Sequence, residues 1–312
     1  MAEFAVGANL PWLDYGQDFG ASAWQPQGGV ARPERRARLR RALGELADQG
    51  ARLVRLWVFG DGRAGLGPPG TRPGLDDRIL PDLDAAMETL AQSGLRAVLV
   101  LTDYLWFARP RGVEGVQLGG RGPLVRDAGR RQSLLDRVFQ PLAERYGREP
   151  AIAAWDLMNE PEWATLGVGT LDPRRAIPRH QMRALLAEVA AVFRAQATQP
   201  LTVGLASTRW LALTDGLDLD FHQVHWYESL DPLHELERPV ASRGLSRPLL
   251  LGEFPTRGAS LPPLTLLRIA ERAGYSGALA WSALATDRAT DRSACGEALL
   301  AWSTRAADVG RA

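Results

Sequence analysis

Residues 153–161 read AAWDLMNEP, a short apolar run that passes directly into Asn159, Glu160 and Pro161. A run of this length and composition predicts a buried β-strand. Buried strands of this kind are typical of a parallel sheet whose two faces are covered by helices. The stretch therefore predicts one strand of a covered parallel sheet, with a carboxylate at its C-terminal end.

Seven similar runs occur along the chain, and longer segments with helical periodicity separate them. This alternation is what a parallel sheet with crossover helices requires. The predicted strands are residues 4–9, 53–58, 97–102, 153–158, 201–205, 221–226, 249–251 and 277–281. The predicted helices are residues 34–49, 80–93, 131–145, 178–197, 232–241, 263–273 and 293–305, with a short fifth crossover near 207–213. Glycines at 50, 94 and 274 mark helix ends.

The competing fold is a doubly wound open sheet, which usually carries a glycine-rich phosphate-binding turn after its first strand. Here the first strand runs into Asn9-Leu10-Pro11-Trp12 instead. Eight strands without that turn favour the α/β class and a single (β/α)8 TIM barrel, formed by residues 1–312 as one domain. Reactive groups are then expected where the strands end and the βα loops begin.

The composition argues against several classes of function. The 37 basic residues are all arginine and face 36 acidic residues, so neither a nucleic-acid nor an acidic membrane partner is indicated. Cys295 is the only cysteine, and the four histidines lack zinc-like spacing, so we expect no metal and no cofactor. No membrane-spanning stretch or leader is recognised, which predicts a cytoplasmic protein, or a secreted one whose leader has been removed.

Polar and aromatic side chains gather at the predicted strand ends, and the opposite ends offer nothing comparable. They are Asn9, Arg55, Trp57, Asp103, Asn159, Glu160, His225, Tyr227, Glu253 and Trp281. Glu160 and Glu253 close the fourth and seventh strands, on opposite sides of the barrel mouth. Glycoside hydrolysis needs one carboxyl group that protonates the leaving oxygen and another that attacks the anomeric carbon or activates water. The pair therefore predicts a glycosidase.

These residues resemble the motifs of clan A glycoside hydrolases, and of family 5 in particular. Residues 155–161, with their Asn-Glu-Pro core, are similar to that family's fourth-strand motif. Residues 225–227 resemble its sixth-strand motif and residues 251–254 its nucleophile strand, while Arg55 and Trp281 match a second-strand arginine and an eighth-strand aromatic residue. The elements follow in the same order over nearly the whole chain.

The resemblance implies a retaining enzyme in which Glu160 is the general acid and then the base, and Glu253 is the nucleophile. Partial burial and the neighbouring carboxylate would raise the pKa of Glu160, whereas Arg55 and Tyr227 would keep Glu253 ionised. Asn159 is implied to bind the sugar 2-hydroxyl. The other residues implied to bind or support the substrate are Trp281 as an aromatic platform, His225, Asp103, Trp106 and Asn9.

The third strand departs from the family pattern, because Asp103-Tyr104-Leu105-Trp106 stands where many members carry a histidine. This departure favours a β-mannoside substrate, with a β-glucoside as the other candidate, in the form of a soluble oligosaccharide or glycoside. The long loops at 103–130 and 60–77 are predicted to wall the cleft. Whether cleavage is internal or terminal stays open, as does the oligomeric state.

Two other functions remain open at this point. A transglycosylase would use the same covalent intermediate, and a catalytically silent carbohydrate-binding barrel would keep the fold without the chemistry. The intact carboxylate pair argues against the silent barrel. The retaining assignment predicts carboxyl groups about 5 to 5.5 Å apart, rather than the roughly 6.5 to 9.5 Å of inverting enzymes.

Overall fold

The protein, described here as a computed structural model for residues 4–67, 72–170 and 172–309, contains a closed barrel of eight parallel strands. The barrel strands are β1 (Ala5–Asn9), β2 (Leu53–Trp57), β3 (Arg96–Asp103), β4 (Ile152–Asn159), β5 (Leu201–Leu205), β6 (His222–His225), β7 (Leu249–Pro255) and β8 (Gly277–Trp281). Each strand pairs with its neighbours in chain order, and β8 closes the barrel against β1. The predicted (β/α)8 barrel is confirmed.

Helices form the outer layer. They are α1 (Pro33–Asp48), α2 (Ile79–Ser93), α3 (Pro123–Arg126), α4 (Ala128–Leu134), α5 (Gln140–Tyr146), α6 (Arg179–Gln196), α7 (Leu233–Glu237), α8 (Pro263–Ala273) and α9 (Arg292–Val309). Short 3-10 segments cover Tyr104–Phe107, Pro161–Ala164, Thr208–Leu213 and Val240–Arg243, and a hairpin pairs Arg111–Val113 with Val116–Leu118. Within the described ranges, none of the helices has the length and apolar character needed to cross a membrane.

The helix α1 shows how the outer layer packs. Its buried apolar residues Leu39, Ala42, Leu43 and Leu46 recur at intervals of three and four, which places them on one face of the helix. They belong to the same apolar core as the strand residues of the barrel, such as Val54. This periodicity is the signal that distinguished helices from strands in the sequence.

Two predicted helices differ from the structure, and proline explains both differences. The helix predicted at 131–145 is interrupted by a π-helical segment, Leu135–Phe139, just before Pro141. Proline has no N–H to donate, and its ring crowds the carbonyl group four residues earlier. The helix predicted at 232–241 is only α7, because Pro239 follows its end and disfavours helical geometry at the residue before it.

The strand register brings the polar strand ends together at one rim. Asp103 on β3 pairs with Asn159 on β4, and His225 on β6 pairs with Glu253 on β7. The register between β6 and β7 shifts just before His225 and Glu253, and the register between β4 and β5 shifts between Asp156 and Asn159. Such irregularities bend a strand and re-aim its side chains. The shifts lie directly before the residues of the candidate site.

Candidate active site

Glu160 follows β4 directly and has a left-handed backbone, with a φ of 48° and a ψ of 51°. This conformation is uncommon for a residue other than glycine and costs about 1–3 kcal/mol. The N–H of Glu160 donates to the carbonyl of Gly204 at 2.6 Å. The indole N–H of Trp163 donates to its Oε2 at 3.0 Å, and Nδ1 of His225 lies 2.8 Å from its Oε1. These contacts fix the carboxyl group at the rim of the barrel.

Glu253 lies on β7 and is held by two donors. Arg55 Nη1 donates to Oε1 at 2.6 Å, and the hydroxyl of Tyr227 donates to Oε2 at 2.7 Å. Nδ1 of His225 is 3.6 Å from Oε2. One carboxylate oxygen from each of Glu160 and Glu253 and one ring nitrogen of His225 lie within 4.8 Å of one another. Both carboxyl groups therefore face the same small space.

Arg55 is fully buried and connects the surrounding polar residues. Besides Glu253, it donates to Asp156 Oδ2 through Nε at 3.0 Å and Nη2 at 2.8 Å, and to Asn159 Oδ1 at 2.9 Å. Its Nη1 also donates to Oδ1 of Asn9 at 3.2 Å. Buried charges are stable only when they are paired and hydrogen-bonded. Asp156 and Glu253 supply the negative charge that Arg55 requires.

The two glutamates differ in their electrostatic surroundings. Burial raises the pKa of Glu160 to about 7, and its contacts with Arg55 and Trp163 oppose this only in part. Burial raises the pKa of Glu253 as well, but Glu253 has a direct ion pair with Arg55. Burial lowers the pKa of His225 to about 4, so its imidazole is neutral at neutral pH. The direct ion pair with Arg55 therefore favours the ionised form of Glu253, and the surroundings of Glu160 favour its protonated form.

A pocket of about 410 Å³ opens above the two glutamates. Its walls are strongly aromatic and include Trp12, Tyr15, Trp57, Tyr104, Tyr227 and Trp281. Trp281 stands edge-on to Trp57 and Trp12, with ring centroids 5.8 and 6.1 Å away, and its indole N–H donates to Asp287 at 2.8 Å. Aromatic faces of this kind pack well against the C–H face of a pyranose ring.

The structure brings nine of the ten predicted residues into one site. Those that line the pocket are Asp103, Asn159, Glu160, Tyr227, Glu253 and Trp281, and those that lie beneath it are Asn9, Arg55 and His225. Trp106 was predicted wrongly as a residue of the substrate site. Its side chain is buried in the core and its indole N–H donates to the carbonyl of Gly60 at 3.0 Å. The 3-10 turn at Tyr104–Phe107 directs Tyr104 and Leu105 to the pocket instead.

Several residues of the site were missed. Asp156 lies inside an otherwise apolar strand, and a charge in that position must have a buried partner. Its position in the sequence could therefore have indicated a buried ion pair. Tyr15, Tyr104 and Asp287 line the pocket from loops or a 3-10 turn. Such segments have no periodicity, so the direction of their side chains cannot be predicted from spacing.

Among the residues that the structure describes, one group of side chains lies close enough together to hold a metal ion. It consists of Glu160, His225 and Glu253. Arg55, however, holds a guanidinium nitrogen 2.6 Å from Glu253. A fixed positive charge so close repels a cation from the same carboxylate. The arrangement therefore favours a carboxyl pair that exchanges protons over a metal site.

Gly204 on β5 leaves room for the buried network. A Cβ at this position would lie 2.5 Å from Gln223 Nε2, 2.7 Å from Arg55 Nη2 and 3.0 Å from Asp156 Oδ2. We expect Gly204→Ala to lower the free energy of unfolding by roughly 1–3 kcal/mol, because the network must shift. Gly44→Ala in α1, where a Cβ meets nothing within 4 Å, should raise it by roughly 0.5–1 kcal/mol. Equal stability of the two variants in urea would contradict this account.

The closed barrel and the unequal carboxyl pair at its rim define the class of protein, a (β/α)8 glycoside hydrolase. No protein-family model matches the chain. A mannan endo-1,4-beta-mannosidase of Mytilus edulis is 23% identical over 326 aligned residues, which cover 89% of this chain and 83% of the relative. Over most of its length the chain therefore resembles the endo-mannanases among the clan A glycoside hydrolases of family 5.

Solved structures share the fold of the chain. The endo-1,4-beta-mannanase of Eisenia fetida superposes with a TM-score of 0.77 at 21% identity, covering 95% of this chain and 90% of that one. The beta-mannanase of Mytilus edulis also gives a TM-score of 0.77, at 20% identity, with 97% and 92% covered. These similarities extend along nearly the whole barrel.

Proposed function

We propose that the protein is a retaining endo-β-1,4-mannanase in which Glu160 is the acid and base and Glu253 is the nucleophile. The observation that carries this proposal is the pair of carboxyl groups with oxygens within 4.8 Å of one another and with unequal surroundings. Inverting enzymes hold the two groups roughly 6.5 to 9.5 Å apart to leave room for water. The short separation supports direct attack by one carboxylate.

The first step forms a covalent glycosyl-enzyme. A carboxylate oxygen of Glu253 bonds to the anomeric carbon while the glycosidic C–O bond breaks, and the proton of Glu160 passes to the leaving oxygen. In the second step, Glu160 takes a proton from water, the water oxygen bonds to the anomeric carbon, and Glu253 leaves. Arg55 and Tyr227 stabilise the negative charge of Glu253 before attack and after departure.

Asn159 is positioned to bind the sugar at the reacting centre. Its Oδ1 accepts from Arg55 at 2.9 Å, and its Nδ2 donates one hydrogen to Asp103 at 2.8 Å. A side-chain amide has two N–H donors, so the second remains for the 2-hydroxyl of the sugar. This bond strengthens as the ring flattens in the transition state. Trp281 supplies the aromatic platform beneath the same sugar.

The shape of the cleft supports internal cleavage of a chain. A pocket of about 660 Å³ adjoins the central pocket on the side of Glu160 and Trp163. A pocket of about 710 Å³ adjoins it on the opposite side, beyond Tyr15 and Leu105. Sugars can therefore extend in both directions from the cleaved bond. The similar proteins named above are mannanases, which favours mannose as the sugar at the centre.

The proposal is tested by incubating the protein with manno-, cello- and xylo-oligosaccharides and with mannan, in the presence of a chelator. We expect internal cleavage of mannan and of longer manno-oligosaccharides, without loss of activity on chelation. Release of mannose alone from chain ends would contradict the endo assignment. Cleavage of cello-oligosaccharides in preference to manno-oligosaccharides would contradict the choice of sugar.

The pH dependence of the reaction should report Glu160. The acid must hold its proton, so kcat/KM is retained below the pKa of Glu160 and lost as the pH rises through about 7. The expected decline is about tenfold per pH unit on the alkaline side. The measurement is a pH–rate profile of kcat/KM on a manno-oligosaccharide. A rate that stays constant well into the alkaline range would contradict the assignment of Glu160 as the acid.

A further inference from the structure

The pocket of about 710 Å³ beyond the central pocket has more positive than negative side chains in its lining. We call it the arginine pocket, because its lining includes Arg63, Arg109 and Arg111. Tyr15 and Leu105 line both this pocket and the central one, so the two are continuous. A sugar chain bound across the glutamate pair can therefore reach the arginine pocket.

Asp61 is the only acidic residue among the described residues of the lining, and Arg63 already neutralises it. Arg63 donates to the two Asp61 oxygens at 2.9 and 2.7 Å, and its guanidinium lies 4.4 Å from the ring centroid of Tyr15. Arg109 and Arg111 are exposed and form no ion pair with any residue in the described ranges. The pocket thus offers two positive charges without a protein counter-charge.

The hairpin that carries Arg111 does not supply that counter-charge. Its only acidic residue is Glu114, which occupies the turn with a φ of 45° and is absent from the pocket lining. Arg109 and Arg111 are therefore directed to a pocket in which the remaining surface is neutral or already paired. A bound neutral sugar would supply no negative charge to pair with either guanidinium group.

The location of Glu160 gives the direction of the sugar chain. The general acid must face the oxygen of the leaving group, and Glu160 also lines the pocket of about 660 Å³. The leaving part of the substrate extends into that pocket. Glu160 does not line the arginine pocket, which has no lining residue in common with the pocket of about 660 Å³. The arginine pocket therefore receives the non-reducing, or glycone, part of the chain.

We propose that the arginine pocket is a glycone subsite for a sugar that carries a carboxylate. Guanidinium groups bind carboxylates through paired N–H donors, a geometry that a neutral hydroxyl cannot match. This inference rests on the proposed function. It predicts that a β-linked manno-oligosaccharide is a better substrate when a uronic acid lies on the non-reducing side of the cleaved bond. The comparison is with the neutral chain of the same length.

The test compares two substrates that differ in one group: a manno-oligosaccharide whose non-reducing terminal sugar carries a carboxylate at C6, and its neutral parent. At low salt, the wild-type protein should show roughly tenfold higher kcat/KM on the acidic substrate, and added salt should reduce this preference. The double variant Arg109→Gln, Arg111→Gln should lose the preference, so that its kcat/KM values on the two substrates become nearly equal. Arg268→Gln, on the outer helix α8, is the matched control and should change neither rate.

Equal rates of the wild-type protein on both substrates would overturn the inference, and so would a preference for the neutral parent. An equal loss of both rates in the double variant would also overturn it, because the two arginines would then serve the structure of the loop. Failure of the wild-type protein to cleave either substrate would instead contradict the proposed function. The neutral parent thus separates failure of the inference from failure of the function.

Discussion

Glu253→Ala should lower kcat/KM on a manno-oligosaccharide by at least about 10⁴-fold, as expected when the nucleophile of a covalent mechanism is removed. The variant lacks the oxygen that bonds to the anomeric carbon. Arg55 keeps its two hydrogen bonds to Asp156, so the guanidinium retains a buried counter-charge and the fold is expected to persist. Far-UV circular dichroism and urea unfolding measure that persistence.

Chemical rescue distinguishes a lost nucleophile from a damaged site. Azide is small enough to occupy the space of the Glu253 carboxylate and should attack an activated β-mannoside from the same face. The expected product is an α-glycosyl azide, with inverted configuration. Glu237→Ala on the exposed surface of α7 is the matched control and should keep the wild-type rate. More than about one hundredth of the wild-type activity in Glu253→Ala would contradict the assignment.

Glu160→Ala should have the second largest effect, and its size should depend on the leaving group. With a sugar as leaving group, kcat/KM should fall about 10²–10⁴-fold, the usual contribution of a general acid and base. With a dinitrophenol leaving group, which departs without protonation, formation of the glycosyl-enzyme should be almost unaffected. Hydrolysis of that intermediate should then be slow, because no base activates the water.

Azide should give Glu160→Ala a product of the opposite anomeric configuration to that formed by Glu253→Ala. An anion can attack the accumulated glycosyl-enzyme without the help of a base, so the rate should rise and the product should be a β-glycosyl azide, with retained configuration. The activities on the sugar and dinitrophenyl substrates, measured side by side, provide the comparison. An equal loss on both substrates would show that Glu160 does not protonate the leaving group.

The barrel could be predicted because its signal is repeated and local. Short runs that are apolar at nearly every position alternate with amphipathic helices such as α1. The strands of a parallel barrel all end at the same rim. Glu160 and Glu253 each stand at the C-terminal end of such a run, so the strand pattern alone placed them near one another. Asn9 and Asn159 followed from the same reasoning.

The parts that escaped prediction depend on geometry that spacing does not encode. Trp106 points into the core because a 3-10 turn, and not an extended segment, follows β3. The left-handed backbone of Glu160 and the register shift before Glu253 are set by tertiary pairing, and neither leaves a pattern in the sequence. The arginine pocket requires loops from β2 and β3 to meet, which only the folded chain shows.

The most direct test of the retaining mechanism is the anomeric configuration of the first product, followed by proton NMR during cleavage of a manno-oligosaccharide. Double displacement by Glu253 inverts the anomeric carbon twice, so the β-anomer should form first and convert to the α-anomer only by later mutarotation. Initial formation of the α-anomer would show a single displacement by water and would contradict the roles proposed for Glu160 and Glu253.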